Sequence, residues 1–546
     1  MTLLPQPPES RSNQARLPAA ISTLAVVLLA ATFTVGAVGA FPIWDDGWLW
    51  LLLEEQGTDA IVPSHPERPV VTHIWLALAP TVEVFWRNAF IAQALLWPIL
   101  ALLSARLWKR LFPQLGSLAG GVALVSIAPF VMKVQMVTAN VALTSLLTVV
   151  LAYCGVLLAM RFAAAADARG WAALALGMAL MAFAVLIQEY AVPVALAGAV
   201  LIGTNWQRSQ GGRALLRHLG AAVGLLATAG VSYLAYLRLA SFESATARDA
   251  LNPTSFRDLS SFVAEAPEIL ATAVWNGLLG GLLNSVSGAL PELKRAPWLL
   301  VGGVLIAVAL AWGSRSISRR ESPVPRASVF AGVRLMLALA VALAPAVIGD
   351  QTPWDPADGM ASRFGLPAMP VLGALVVLLV AGYLPARHRW IPLAVLGLAA
   401  GTVAAAEAST AHRERELLAR MGHCMQPRVD ANDQKTVAVV LLPPRSLGPR
   451  RQWELTARLA FEYPSGLSRR VWAHRFHGDA VRSFGRRVRC RGKQSVHHTV
   501  RNLKRRGILQ ELLWLEELED GGIVMETYCR PGMAEPALRI LCAPIE

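Results

Sequence analysis

The sequence predicts an α-helical polytopic membrane protein of about eleven transmembrane helices, followed by a C-terminal soluble α+β domain. Three observations predict it. Of 546 residues, 55% are hydrophobic and only 16% are charged, and the mean hydropathy is +0.47; a soluble protein of this size needs more polar surface to cover its core. Many apolar runs approach the ~20 residues that a spanning helix requires. Past about residue 410 the composition turns sharply charged and polar.

The net charge of +14 follows from the same architecture, since Lys and Arg collect in short cytoplasmic loops. Nucleic-acid binding needs a soluble basic surface with groove-reading or aromatic elements, and no such partner is expected.

Residues 1–17 are polar and Pro-rich, with Arg11 and Arg16 just ahead of the apolar run 18–41. Small residues at Gly36-Ala37-Val38-Gly39-Ala40 would suit a cleaved signal peptide. The run is longer than a signal core and many spans follow, so an uncleaved first helix with a cytoplasmic N-terminus is preferred. Residues 42–87 then form one outer loop. Its apolar part, 70–84, is too short to cross and lies in the interface. The span 88–105 ends in Arg106, Lys109 and Arg110, which anchor it inside.

Further spans read as 115–132, 138–160, 171–187, 190–204 and 218–239, with inside charges from Arg161 to Arg169 and from Arg208 to Arg217. The stretch 241–296 holds a charged loop and a piece near 269–290 interrupted by Gly and Asn. If that piece crossed, the basic segment Arg315 to Arg326 would land outside, so it reads as interfacial or re-entrant. Spans at 297–313, 327–349, 365–384 and 390–408 complete eleven. The transmembrane domain is thus 18–408, and an odd count sends 409–546 outside. There Val437 to Leu442 reads as a buried strand. Long segments translocate largely regardless of charge, so the many arginines of the tail do not oppose this.

Of five cysteines, Cys154 lies in an apolar run as a small core residue. Cys424, Cys490, Cys529 and Cys542 lie in the tail without CxxC spacing, which speaks against zinc and permits two disulfides in any of three pairings.

Chemistry concentrates in Phe41-Pro42-Ile43-Trp44-Asp45-Asp46-Gly47-Trp48. Carboxylates at the membrane edge are expensive and usually mark function; the plainer reading is a solvated loop pair between interface tryptophans. Trp44, Trp48 and Trp50 fit an interfacial belt.

The order of features in 1–110 resembles the GT-C superfamily of integral-membrane glycosyltransferases, which includes protein O-mannosyltransferases and aminoarabinose transferases. The matching elements are Asp45-Asp46 after a first helix, His65-Pro66-Glu67-Arg68-Pro69, the apolar Ile74-Trp75-Leu76-Ala77-Leu78, and Arg87 opening the second helix. Ser362-Arg363-Phe364-Gly365-Leu366-Pro367-Ala368-Met369-Pro370 is similar to the family's later Arg-aromatic-x-x-Pro-x-x-Pro element. Two departures stand out: many relatives carry Asp-Glu where this chain has Asp-Asp, and the tail after 410 matches none of the family pattern.

The resemblance implies transfer of a sugar from a polyprenyl-phosphate donor to an acceptor hydroxyl, with inversion. The donor's lipid stays in the bilayer and its phosphate reaches the outer interface. The active site then faces the periplasm across a bacterial inner membrane, in cell-envelope chemistry. It implies Asp45 as general base, and Asp46 as a residue that holds the acceptor or, in some relatives, a divalent metal; no other cofactor is expected. Arg363 is implied as the cation that steadies the leaving phosphate; its plainer role is a headgroup-snorkelling interface arginine. Arg68 and Lys133 are further outer-side cations, Lys133 equally a headgroup anchor at a span end. His65 is a candidate to line the sugar pocket or bind metal, or else a loop hydrogen-bonder. Glu189, in the Gln188-Glu189-Tyr190 connector, is a candidate to touch sugar or to cap the following helix.

A glycan, a lipid-linked sugar and a protein hydroxyl all remain open as acceptor. Rival readings are a lipid-linked glycan polymerase or ligase, a transporter, and a non-catalytic scaffold. The later outer loops are modest for the first, and no half-to-half repeat supports the second.

Overall fold

The computed structural model describes residues 24–32, 69–78, 82–130, 142–165, 167–205, 212–239, 259–318, 328–348, 354, 361–430, 436–442, 471–475, 509–517, 523–527 and 539–542. These fall into two units that divide between Ala408 and Ser409.

The first unit is helical. Residues 24–32 form α1. Then come α2 (Pro69–Leu78), α3 (Val82–Leu111), α4 (Ala119–Ile127), α5 (Leu147–Ala164), α6 (Ala168–Ile187), α7 (Ala191–Gly203) and α8 (Gly212–Leu239). They are followed by α9 (Leu259–Trp275), α10 (Gly281–Arg295), α11 (Leu300–Ser318), α12 (Ser328–Ile348), α13 (Met369–Tyr383) and α14 (Trp390–Asp430). Among the described residues, seven helices are long and apolar enough to cross a membrane, and three more are apolar but shorter.

What packs these helices, and what they leave outside, fits lipid rather than water. On α3, Ile91, Leu95, Ile99 and Leu102 recur at helical spacing and are exposed, whereas Gln93, Trp97, Leu100 and Trp108 are buried. The outer stripe is as apolar as the inner one, the reverse of a water-facing helix. Phe330, Val333 and Leu337 on α12 and Val301, Leu305 and Val308 on α11 repeat the pattern. Between α5 and α6 the backbones meet directly: a Cβ at Gly155 would stand 2.8 Å from the Gly177 carbonyl oxygen, and one at Gly177 2.9 Å from that of Gly155. Small residues permit such an approach, which replaces hydrophobic driving force in lipid with dispersion contact.

The short connections are held by local hydrogen bonds. Trp108 donates from Nε1 to the Leu115 carbonyl at 2.7 Å, closing the turn between α3 and the 3-10 helix Pro113–Leu118. Asp167 caps α6, its carboxylate accepting from the Gly170 N–H at 2.6 Å.

Several segments differ from the sequence expectation, among them the expected span 115–132, whose α-helix covers only Ala119–Ile127. The span 88–105 begins earlier, at Val82, and runs to Leu111 as a 30-residue helix with Pro98 inside it. The piece near 269–290 is one unbroken helical path from Leu259 to Arg295, because the five-residue π turn Asn276–Gly280 carries the glycines that spacing alone reads as breaks. It is not among the span-capable helices.

The second unit continues α14 to Asp430 and contains a five-stranded sheet: β1 (Thr436–Leu442), β2 (Val471–Arg475), β3 (Leu509–Glu517), β4 (Ile523–Thr527) and β5 (Arg539–Cys542), in the order β2-β1-β3-β4-β5. β1 runs parallel to β2 and β3, and β3-β4-β5 are antiparallel. The uninterrupted apolar run of β1 suits a central strand with parallel neighbours on both sides.

Candidate functional site

Two ends of the helical unit differ in chemistry. At one, α3 ends in Arg106, Lys109 and Arg110, α5 ends in Arg161, α8 begins with Arg213 and Arg217, and the α13–α14 turn carries Arg387 and Arg389. Arg334 is buried there, its guanidinium 5.6 Å over the Phe112 ring and its Nη1 3.4 Å from Asn205 Oδ1. Arg389 donates from Nε to the Leu384 carbonyl at 3.1 Å.

The opposite end is built from irregular helix. The π turn Ala142–Leu146 leads into α5, and the 3-10 helix Ala361–Ala368 leads into α13. These two segments pack on each other, and the 3-10 helix also packs on α7 and α12. Tyr153 on α5 donates its phenol to the Pro367 carbonyl at 2.7 Å and is fully buried. Ser145 donates to Gln188 Oε1 at 3.0 Å, tying the π turn to the residue where α6 stops. Gln188 stops it by adopting an extended backbone (φ −160°, ψ 147°). Its own carbonyl and that of Glu189 then accept from the Ala191 and Val192 N–H groups, starting α7. Ser285 on α10 donates to the Phe130 carbonyl at 2.8 Å, which brings the 259–295 path to the same end.

The positions singled out by sequence fall as follows. Arg363 lies on the first turn of the 3-10 helix Ala361–Ala368. Glu189 sits in the connector between α6 and α7, half-buried and near enough to Tyr233 for its charge to be felt there. These two segments share one end of the bundle. Asp45, Asp46, His65, Arg68 and Lys133 lie outside the described residues. Among the described residues no three His, Cys, Asp or Glu side chains gather as a metal site, and Asp46, expected to hold a divalent metal if one is used, lies outside those residues.

Spacing alone passed over three features. Thr144, Ser145 and Thr148 form a short polar stretch, all buried, inside an otherwise apolar run; its polarity was the available signal. Gln188 was named only as a neighbour of Glu189. Trp354 is almost wholly buried and lies against Gly277 and Gly365; its position between two late spans, flanked by Pro353 and Pro356, was the only hint.

No protein-family model matches the chain, and no curated protein matches it. Among solved structures it is similar to the oligosaccharyltransferase of Archaeoglobus fulgidus in complex with zinc and sulfate, at 14% identity over 80% of this chain and 61% of that one, with a TM-score of 0.34. The chain thus spans less than two thirds of that protein's length. A likeness at this TM-score carries no argument about fold or activity.

Proposed function

We propose that this chain is an integral-membrane glycosyltransferase of GT-C type, moving a sugar from a polyprenyl-phosphate donor to an acceptor hydroxyl at the outer face of a bacterial inner membrane. The observation that carries the reading is that the segment bearing Arg363 and the connector bearing Glu189, each tied to the π turn Ala142–Leu146, share the end of the bundle opposite the basic one. Basic connections mark the cytoplasmic side, so the Arg363 end faces out, where the phosphate of a flipped lipid donor lies.

The chemistry is a single displacement. The acceptor oxygen attacks the anomeric carbon and its proton passes to the Asp45 carboxylate. The bond from that carbon to the phosphate oxygen breaks as the new one forms, which inverts the centre and releases polyprenyl phosphate. A positioned base contributes about 10²–10⁴-fold to such a step. The departing phosphate gathers negative charge, and a fixed cation such as Arg363 lowers the barrier where the charge develops. Asp46 holds the acceptor, or a divalent metal if one is used; such a metal would supply Lewis-acid assistance to the phosphate. His65, Arg68 and Lys133 belong to the donor headgroup's surroundings in this reading, and Glu189 to the sugar's.

The test is transfer in native membranes with a panel of radiolabelled polyprenyl-phosphate sugars, comparing the native chain with Arg363→Ala. Transfer of at least one sugar, reduced about 10²-fold or more in the variant, supports the reading. No transfer with any donor removes it.

A further inference from the structure

The helical path Leu259–Arg295 turns its faces the wrong way round for water. From the end of α9, through the π turn Asn276–Gly280 and along α10, Trp275, Leu279, Leu283, Val286 and Leu290 recur at helical spacing and stand 36–62% exposed. The residues that pack inward between them are small or polar: Asn276, Ser285, Ala289 and Glu292 are buried. A helix on a water-facing surface carries the opposite pattern. Ser287, exposed beside the stripe, donates to the Asn284 carbonyl at 3.0 Å. Its hydroxyl is thus satisfied within the helix, as hydrocarbon requires of polar groups.

Its contacts fix the depth and direction of the path. A Cβ at Gly277 would stand 3.4 Å from Leu372, in the first turn of α13. Ala289 packs with Val403 and Ala406 on α14. Leu372 lies at the end of α13 away from the turn with Arg387 and Arg389, and Val403 and Ala406 lie roughly 20 Å along α14 from that turn. Ser285 reaches the Phe130 carbonyl at the same end. Between Gly277 and Ala289 the path is about 18 Å long at ~1.5 Å per residue, yet both residues touch one end of the bundle. The axis therefore runs along the membrane plane and not across it. Their partners belong to the span-capable apolar stretches Gly365–Tyr383 and Ala386–Arg413, so the path lies at the edge of the hydrocarbon and not above it in water.

We propose that this path is an in-plane element of the leaflet opposite the basic end, its Trp275–Leu290 stripe covered by lipid acyl chains. The stripe leads through exposed Trp298 and Leu300 into Val301, Leu305 and Val308, the lipid-facing side of α11. Trp275 and Trp298 bracket α10 with exposed indoles, and Lys294 and Arg295 close it, exposed in its last turn. These are the residue types that sit at headgroup level. A helix lying in the interface buries its apolar face about 5–10 Å into the boundary between headgroups and chains. The inference stands independently of the glycosyltransferase reading, since neither donor nor acceptor enters it.

The experiment reconstitutes the full chain into phosphatidylcholine vesicles containing a brominated fraction, the bromines set either near the glycerol or near the chain end. An environment-sensitive fluorescent amino acid replaces Leu283, Leu290, Leu305 or Arg387, one site per variant. All four positions are exposed, so none of the replacements disturbs packed core. The inference expects emission at Leu283 and Leu290 to be lost to bromine, more to the shallow bromine than to the deep one. Leu305, further along α11, should lose relatively more to the deep bromine, and Arg387, in its basic turn, should keep its emission. Emission at Leu283 and Leu290 as well preserved as at Arg387 puts the stripe in water or against protein and overturns the inference. Stronger loss there to the deep bromine overturns the in-plane placement. Excimer emission from pyrenylalanine at Leu283 assigns the face to a second copy of the chain and overturns it as well. Should one of the two leucine variants not fold, the other carries the test.

Discussion

Tyr153 and Pro367, 214 positions apart in sequence, are joined by one buried hydrogen bond of 2.7 Å from the phenol to the prolyl carbonyl. Pro367 is the penultimate residue of the 3-10 helix that carries Arg363, and Tyr153 lies on α5, one of the most deeply buried helices. The bond therefore registers the candidate phosphate-binding segment against the core of the bundle.

Tyr153→Phe is expected to destabilise the protein by about 1–3 kcal/mol, because the Pro367 carbonyl loses its buried donor. Paired hydrogen bonds in membrane proteins average nearer ~0.6 kcal/mol, so a value at the lower end is expected. Equilibrium unfolding in mixed micelles measures it. The same variant should raise the KM for donor more than it lowers kcat, since the segment shifts rather than loses its cation.

Ser145 and Gln188 form a second tie at that end, 3.0 Å long. Ser145→Ala and Gln188→Leu are each expected to cost about 1 kcal/mol, and the double variant less than their sum, because removing both partners leaves no orphaned group. A double-mutant cycle on unfolding free energies measures the coupling; strict additivity would deny that the pair is coupled.

The α5–α6 contact leaves no room for side chains. Gly155→Val and Gly177→Val place carbon against a facing carbonyl oxygen at 2.8–2.9 Å or less. Overpacking of this kind costs about 1–3 kcal/mol or more, and here backbone must move. Loss of the monodisperse peak in detergent size-exclusion chromatography is expected for both, whereas Gly382→Ala, with open space around it, should elute as the native protein does.

Sequence pattern and structure agree where hydrophobic period decides the outcome. The apolar runs expected from 138 to 384 each overlap a helix, and the strand expected over 437–442 forms as Thr436–Leu442. They part where polar composition was taken for a break. After Ala408 the chain turns charged, yet α14 continues to Asp430; residues four apart, such as His412 and Glu416 at 3.2 Å, still share a helix face. The long-range ties of the candidate site were illegible for a different reason. Nothing in the spacing of Tyr153, Pro367, Trp354 or Gly277 marks them as neighbours, because helix packing in three dimensions brings them together.

Orientation can be read directly. A single cysteine at Arg387, in the exposed turn between α13 and α14, should react with a membrane-impermeant maleimide only after the inner face is opened. One at Glu189 should react from outside in intact cells. The reverse pattern would place the Arg363 end in the cytoplasm and contradict the proposed donor, whose phosphate is presented at the outer face.

The most direct measurement of the central claim is single-turnover transfer of a radiolabelled sugar from its polyprenyl phosphate by native protein and by Asp45→Asn, with donor binding measured in parallel. Asparagine keeps the size of the side chain and cannot take the acceptor's proton. The account expects donor affinity close to native and a transfer rate lower by about 10²–10⁴-fold. A rate for Asp45→Asn equal to the native one would contradict it.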